Sequence, residues 1–185
     1  DGSSAQDSDV VVVTDDSALF FDDFASGDIS AWQKLRGNCS VVNQVLVGQD
    51  KKKAEILAPF AGCGSCSVEA DLQLQAANAN VSILGWYVDK KNYVEVILMG
   101  EKGKVVLKQR SAGNVVLKSK ASAPLNSGVY HLKVSFDGST FSVSLNGNQL
   151  FTATAATLPF GNFGFRLKGF SAVNGLATFD NVLIQ

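Results

Sequence analysis

The chain has 185 residues, 46% of them hydrophobic, and a formal net charge of −1 from 16 basic and 17 acidic side chains. That size supports one domain with a two-layer core, held without metals or many disulfides. The near-neutral balance excludes a global field that would draw the chain to nucleic acid or an anionic membrane, and no apolar run approaches the ~20 residues of a transmembrane helix.

The chain opens on Asp1 rather than Met, and Ser, Thr, Asn and Gly are abundant while Met occurs once. An extracellular or cell-surface location after removal of a signal peptide is therefore expected. Residues 1–9 are polar and have no apolar content to fold around. Val10, Val11, Val12 and Val13, followed by Thr14, make a short β-branched run between acids. Continuous apolarity predicts a strand with both faces buried.

Leu19–Phe24 is the next predicted strand, followed by a turn at Ala25–Asp28 and then Trp32, a core candidate. Residues 40–47 and 54–58 read as strands around a turn at Lys51–Lys53. Over 66–75 the alternation is clean, with Cys66, Val68, Ala70, Leu72 and Leu74 inward and Glu69, Asp71, Gln73 and Gln75 outward.

Residues 81–99 form two apolar runs flanking the polar tetrad Asp89–Asn92, which predicts a long central hairpin. In its second arm Val94, Val96 and Leu98 face one way, and Tyr93, Glu95 and Ile97 the other, as in a half-buried strand. Val105–Lys108 and Val115–Lys118 pair across a turn at Ser111–Asn114. Val129–Phe136 places Tyr130, Leu132, Val134 and Phe136 inward. Asp137-Gly138 and Asn146-Gly147 are hairpin turns, because these residues tolerate positive φ. Phe163, Phe165 and Leu167 mark another strand, and residues 176–184 close the chain. About a dozen strands at 8–12-residue spacing and no helix predict an all-β, two-sheet antiparallel β-sandwich. The first domain strand (19–24) is expected to pair with the last (176–184).

The three cysteines are Cys39, Cys63 and Cys66. No helix pattern follows the CxxC, and the only histidine, His131, leaves zinc without ligands. A structural disulfide is expected, either Cys63–Cys66 across a tight turn or one of these with Cys39. The first pairing is favoured, with Cys39 buried and free.

Phe21–Phe24 with Gly27 and Trp32, the stretch Trp86–Tyr93, the hairpins built on Tyr130, Asp137-Gly138, Phe141 and Asn146-Gly147, and the closing Ala177–Val182 together resemble a concanavalin A-like (LamG or jelly-roll) domain. The resemblance spans roughly residues 19–184, so the domain is set at 19–185 and residues 1–18 are an N-terminal extension bearing an extra strand. It implies a β-sandwich of a secreted or surface protein. It also implies a structural calcium tying the first strand to the last, with Asp22 or Asp23, Asp28 and Asp180 as its hard oxygen ligands. Carbohydrate-binding relatives use exposed aromatics, for which Trp86, Tyr87 and Tyr93 are the candidates. Trp86 and Trp32 also fit the core.

A retaining glycosidase needs two carboxylates ~5 Å apart. Glu69 and Asp71 come nearest, but Gln73 and Gln75 follow them and Glu95 is alone in its strand, so the chain is expected not to be an enzyme. His131 is expected to be a solvated strand residue. Two functions are carried forward. The first is a non-catalytic extracellular building block that assembles with copies of itself, as an oligomer or filament, by donating the strand Val10–Val13. The alternative is a carbohydrate-binding module with a polysaccharide partner, stabilised by calcium.

Overall fold

A computed structural model describes residues 18–50, 53–74, 80–126, 128–157, 159–168 and 175–185. The strand expected at Val10–Val13 lies outside these, as do Lys51, Lys52 and Gln75. The described residues form fifteen strands and one 3-10 turn at Gly100–Lys102. In chain order the strands are β1 (Phe20–Asp22), β2 (Gln33–Arg36), β3 (Asn38–Val42), β4 (Val45–Asp50), β5 (Ala54–Leu57), β6 (Cys66–Leu74), β7 (Asn80–Asp89) and β8 (Asn92–Met99). They continue with β9 (Lys104–Ser111), β10 (Asn114–Ser122), β11 (Gly128–Phe136), β12 (Thr140–Leu145), β13 (Asn148–Thr154), β14 (Asn162–Lys168) and β15 (Gly175–Ile184).

They build two antiparallel sheets. The first runs β13-β12-β11-β6-β15-β4-β3, with β1 also on β15; the second runs β10-β9-β8-β7-β14-β5-β2. The two-sheet sandwich is thus the architecture that the alternation predicts. Phe20 pairs with Ile184 and Asp22 with Val182, joining the first domain strand to the last. The inward set of β6 is fully buried from Cys66 to Leu74.

Aromatic side chains fill the space between the sheets in two groups. Trp32 packs on Phe20, Phe24 and Phe165, and Phe165 on Phe179. Trp86 meets Phe136, Phe141 and Phe163 at centroid distances of 5.8, 5.3 and 5.0 Å. These edge contacts suit the ring quadrupoles and add about 0.5–1.5 kcal/mol per pair to the gain from burial. Cys63 and Cys66 are bonded to each other, and Cys39 is a buried free thiol. Burial pushes the Cys39 pKa up to about 11, against a smaller pull from Lys34.

Three local expectations need correction. Residues 40–47 are not one strand: Asn43 and Gln44, both at positive φ (52° and 63°), close a tight turn between β3 and β4. Nor do β4 and β5 form a hairpin around Lys51–Lys53, because β4 lies in the first sheet and β5 in the second. Finally, β8 is not half-buried. Tyr93, Glu95 and Ile97 are only 9, 8 and 7% exposed on the face turned away from the core. Other side chains of the second sheet cover that face, and the candidate site lies there.

Candidate functional site

The outward face of the second sheet follows directly from strand register. On β8 the outward positions are Tyr93, Glu95, Ile97 and Met99; across from them on β9 stand Arg110, Lys108, Val106 and Lys104. On the other side, Leu84, Ser82 and Asn80 of β7 face Glu95, Ile97 and Met99. Arg166 of β14 pairs with Ser82 and with Glu55 of β5. Gly164 sits one position outward from Phe165, where a Cβ would collide with the Ile56 carbonyl oxygen, so a side chain is excluded beside Leu57 and Leu84.

Glu55, Arg166 and Glu95 form a buried ion network across these strands. The Arg166 Nε donates to Glu55 Oε1 at 2.8 Å, and its Nη1 lies 2.9 Å from Glu95 Oε1. The Ser82 hydroxyl donates to Glu95 Oε1 at 3.1 Å, and Lys53 Nζ stands 3.6 Å from Glu55 Oε1. Burial alone would lower the Arg166 pKa, but Glu95 and then Glu55 outweigh it and the guanidinium is held charged. A buried charge persists only when paired and hydrogen-bonded in this way. The closest contacts fall on Oε1 of both glutamates.

A β-bulge decides which aromatic residue reaches this face. Val81 and Ile83 point inward, and strict alternation would send Trp86 outward. Instead Trp86 has φ 47°, the β7–β8 register slips between Gly85 and Asp89, and its ring turns into the core. Its indole N–H donates to the Gly64 carbonyl at 2.6 Å. At 1% exposure it has no ring face for a sugar, which removes it from the three aromatic candidates. The same bulge brings Tyr87 outward, where it stacks on Tyr93 with centroids 5.9 Å apart and planes 27° apart. Tyr87 is half-buried, and with Leu35, Leu57, Leu84 and Tyr93 it forms a small apolar cluster outside the main core. The guanidinium of Arg166 lies 4.9 Å from the Tyr93 ring centre and that of Arg110 lies 5.9 Å away.

Two hollows adjoin at Tyr93 and Arg110, which line both. One, of about 190 Å³, is polar and includes Asn80, Ser82, Glu95 and Arg166. The other, of about 370 Å³, lies toward Val88, Pro159 and Phe160. Phe160 is 62% exposed. Gln109 ties the neighbouring loop down, its amide nitrogen donating to Thr157 and its amide oxygen accepting from Ala156 N–H. Arg110 Nη1 donates to the Gly113 carbonyl, while its Nε is buried without a partner among the described residues. Such a donor is costly unless a ligand or solvent meets it.

The remaining sequence candidates lie elsewhere. Glu69 and Asp71 are on the outward face of the first sheet, tied to basic partners. Lys133 Nζ is 2.8 Å from Glu69, His131 Nδ1 is 2.9 Å from Asp71 Oδ1, and the Asn181 amide donates to Asp71 Oδ2. His131 is therefore paired with Asp71 while its side chain stays 42% exposed, as expected of a solvated strand residue.

The acids proposed for calcium are drawn into local hydrogen bonds. Asp22 accepts from the Phe24 N–H and the Trp32 indole, Asp23 from the Ala25 N–H, and Asp28 from the N–H and hydroxyl of Ser30. Asp180 accepts from the Asn181 N–H; burial first, and then Asp71, Asp23 and Asp22, push its carboxyl pKa up, and Asp28 is not among these neighbours. Among the described residues no three His, Cys, Asp or Glu side chains are grouped to hold a metal.

Sequence reasoning passed over Arg166, Arg110, Glu55, Ser82 and Phe160. The available signal was one charged residue inside each of three apolar strands: Glu55, Glu95 and Arg166.

The sandwich has many structural counterparts. The carbohydrate binding module CBM66 from Bacillus subtilis superposes with a TM-score of 0.74 at 18% identity, over 84% of this chain and 95% of that one. A Bacillus licheniformis beta-glucanase gives 0.71 at 13% identity, over 92% and 99%. The Crh5 transglycosylase gives 0.69 at 14%, over 90% and 83%. This is a concanavalin A-like jelly roll. No protein-family model matches the sequence, and no curated protein is significantly similar to it.

The jelly roll shares its architecture with a glucanase and a transglycosylase, so the expectation that it is not an enzyme does not stand. It rested on an absence of paired carboxylates along one strand, whereas the fold brings Glu55 and Glu95 together from different strands onto one guanidinium. At these identities the likeness concerns fold, and fold by itself decides neither for nor against activity.

Proposed function

We propose that this jelly roll recognises carbohydrate on the outward face of its second sheet. The observation that carries the proposal is the stacked pair Tyr87–Tyr93 beside the Glu55–Arg166–Glu95 network, with hollows on either side of Tyr93 and Arg110. A pyranose has apolar C–H faces and a rim of hydroxyls. Tyr87 offers a ring to the former. The carboxylates of Glu55 and Glu95 accept from hydroxyls, and the partnerless Nε of Arg110 donates to one. The ion network locks these groups in place before a ligand arrives, which reduces the entropy lost on binding.

Carbohydrate recognition takes first place over self-assembly. The strand Val10–Val13 lies outside the described residues and no finding supports filament formation, while structural counterparts include a carbohydrate binding module. The Cys63–Cys66 disulfide supports an extracellular site of action.

Affinity electrophoresis through gels containing single soluble polysaccharides tests the proposal, with Tyr87→Ala and Glu95→Gln beside the wild type. At least one polysaccharide is expected to retard the wild type. Tyr87→Ala should lose about tenfold in affinity, equivalent to roughly 1.4 kcal/mol. Reducing-end release in the same samples reads whether the bound glycan is cleaved. A full polysaccharide panel and glycan array with no binder, or retardation unaffected by Tyr87→Ala, overturns the proposal.

A further inference from the structure

The outward face of the second sheet continues past the polar groove onto β9 and β10, where its chemistry changes. Register sets Lys108 of β9 beside Lys118 of β10, Val106 beside Lys120, and Lys104 beside Ser122. These are outward positions, because Val105 and Leu107 fill the core. Lys102 reaches the same region from the 3-10 turn. Together Lys102, Lys104, Lys108, Lys118 and Lys120 rim a hollow of about 300 Å³ floored by Met99 and Val106. No acidic side chain lines it.

The chain has 16 Lys and Arg in all. Five of them rim this one hollow, and Lys53, Arg110, Arg166 and Lys168 line the adjoining groove. An overall charge of −1 therefore conceals a one-sided distribution. Glu55 and Glu95 balance Arg166 and Lys53 in the groove, which leaves the five lysines of the hollow with no acid among its lining residues. Lys108 registers the crowding. Burial first lowers its pKa; Glu95 pulls it back up, and Lys118, Arg110 and Lys168 push it down again. Like charges packed this closely repel, and a bound anion relieves the repulsion.

We infer that the lysine-rimmed hollow on β9 and β10 is the anionic subsite of the glycan face, so that the preferred ligand is a polysaccharide bearing carboxylate or sulfate groups. This rests on the carbohydrate reading above and names its ligand class. The lysine hollow and the polar groove share Met99 and Lys108, so one extended chain crosses both. Along a strand, alternate residues are spaced by roughly 7 Å, which lets Lys118 and Lys120 meet successive charges on an extended ligand. The residues lining the lysine hollow include no aromatic ring, which single-stranded nucleic acid requires for base stacking. The groove next to it carries Asn80, Ser82 and Glu95, which suit the hydroxyls of a glycan. These observations favour an anionic glycan over nucleic acid.

The test compares binding of the full chain to polygalacturonate, a sulfated galactan and a neutral β-glucan, by calorimetry at roughly 20 mM and 300 mM salt. The variants are Lys104→Gln/Lys118→Gln/Lys120→Gln and the charge-retaining Lys118→Arg/Lys120→Arg, both checked for wild-type circular dichroism and melting temperature. The wild type is expected to bind at least one of the two polyanions more tightly than the neutral glucan, and less so at high salt. The triple variant should lose about tenfold or more toward the polyanion while its affinity for the neutral glucan stays unchanged. The arginine variant should bind like the wild type. Whichever polyanion binds more tightly distinguishes carboxylate from sulfate.

Wild-type binding to the neutral glucan alone overturns the anionic subsite and leaves the carbohydrate reading intact. Binding to neither class, at either salt, overturns both. Equal affinity for a single-stranded oligonucleotide or for phosphatidylserine vesicles, lost in parallel in the triple variant, overturns the subsite as well, since it marks the lysines as a nonspecific cationic patch.

Discussion

Arg166 is the residue on which the candidate site depends. It is 6% exposed and reaches Glu55, Glu95 and the Tyr93 hydroxyl from one position on β14. Removing it strands two carboxylates on a face with little water, which is more costly than losing the attraction itself. Arg166→Leu is expected to destabilise the fold by about 3–5 kcal/mol, as when one partner of a buried ion pair is removed. Urea denaturation measures this. Adding Glu55→Gln and Glu95→Gln to the same protein should recover part of the loss, because the stranded charges go. A loss below about 1 kcal/mol for the single variant, in the range of ordinary surface substitutions, would show that the network does not hold the face together.

Among the elements, hairpin turns carry the pH dependence. Asp89 closes the β7–β8 hairpin by accepting from the backbone N–H of Lys91 and from Asn92, through both its N–H and its side-chain amide. Asp137 accepts from the backbone N–H groups of Thr140 and Ser139 between β11 and β12. In both, these bonds hold the carboxyl pKa below its ordinary value of 3.8, with the Lys91 N–H the largest cause for Asp89 and the Thr140 N–H for Asp137. The folded state then binds fewer protons than the unfolded chain as these groups titrate, so stability rises with pH there and is lost as pH drops. The contribution is present above the unfolded value, near pH 4, and disappears as pH drops through the lower folded values. The gap in urea midpoint between the wild type and Asp89→Asn/Asp137→Asn should therefore be open at pH 6 and narrow toward pH 2. An equal gap at both would mean that the two carboxylates act only as turn formers.

For the whole molecule, the proposed glycan face draws on β2, β5, β7, β8, β9, β10 and β14 and on no residue before Leu35. Deleting residues 1–16 is expected to leave polysaccharide retention at its full-length value. Light scattering on the same pair of proteins addresses self-association separately: if only the full-length chain forms large assemblies, the donor-strand hypothesis regains support. Loss of retention without any change in circular dichroism would show that the extension takes part in the site.

The amino-acid sequence determined the sandwich because a strand's side-chain period is two and a buried face must be apolar at every second residue. Cys66–Leu74 and Leu132–Phe136 state their inward faces outright, and Asn146-Gly147 needs only its own φ preferences to make a turn. The Cys63–Cys66 pairing was likewise legible, since the two lie three residues apart. The site was not legible, for two physical reasons. Its charged residues are separated by 40 and 71 positions (Glu55 to Glu95 to Arg166) and meet only through strand order, which local patterning does not encode. And the choice of Tyr87 over Trp86 as the outward ring hangs on one bulge at Trp86, where tertiary packing against Phe136, Phe141 and Phe163 overrides the alternation that the sequence alone would follow.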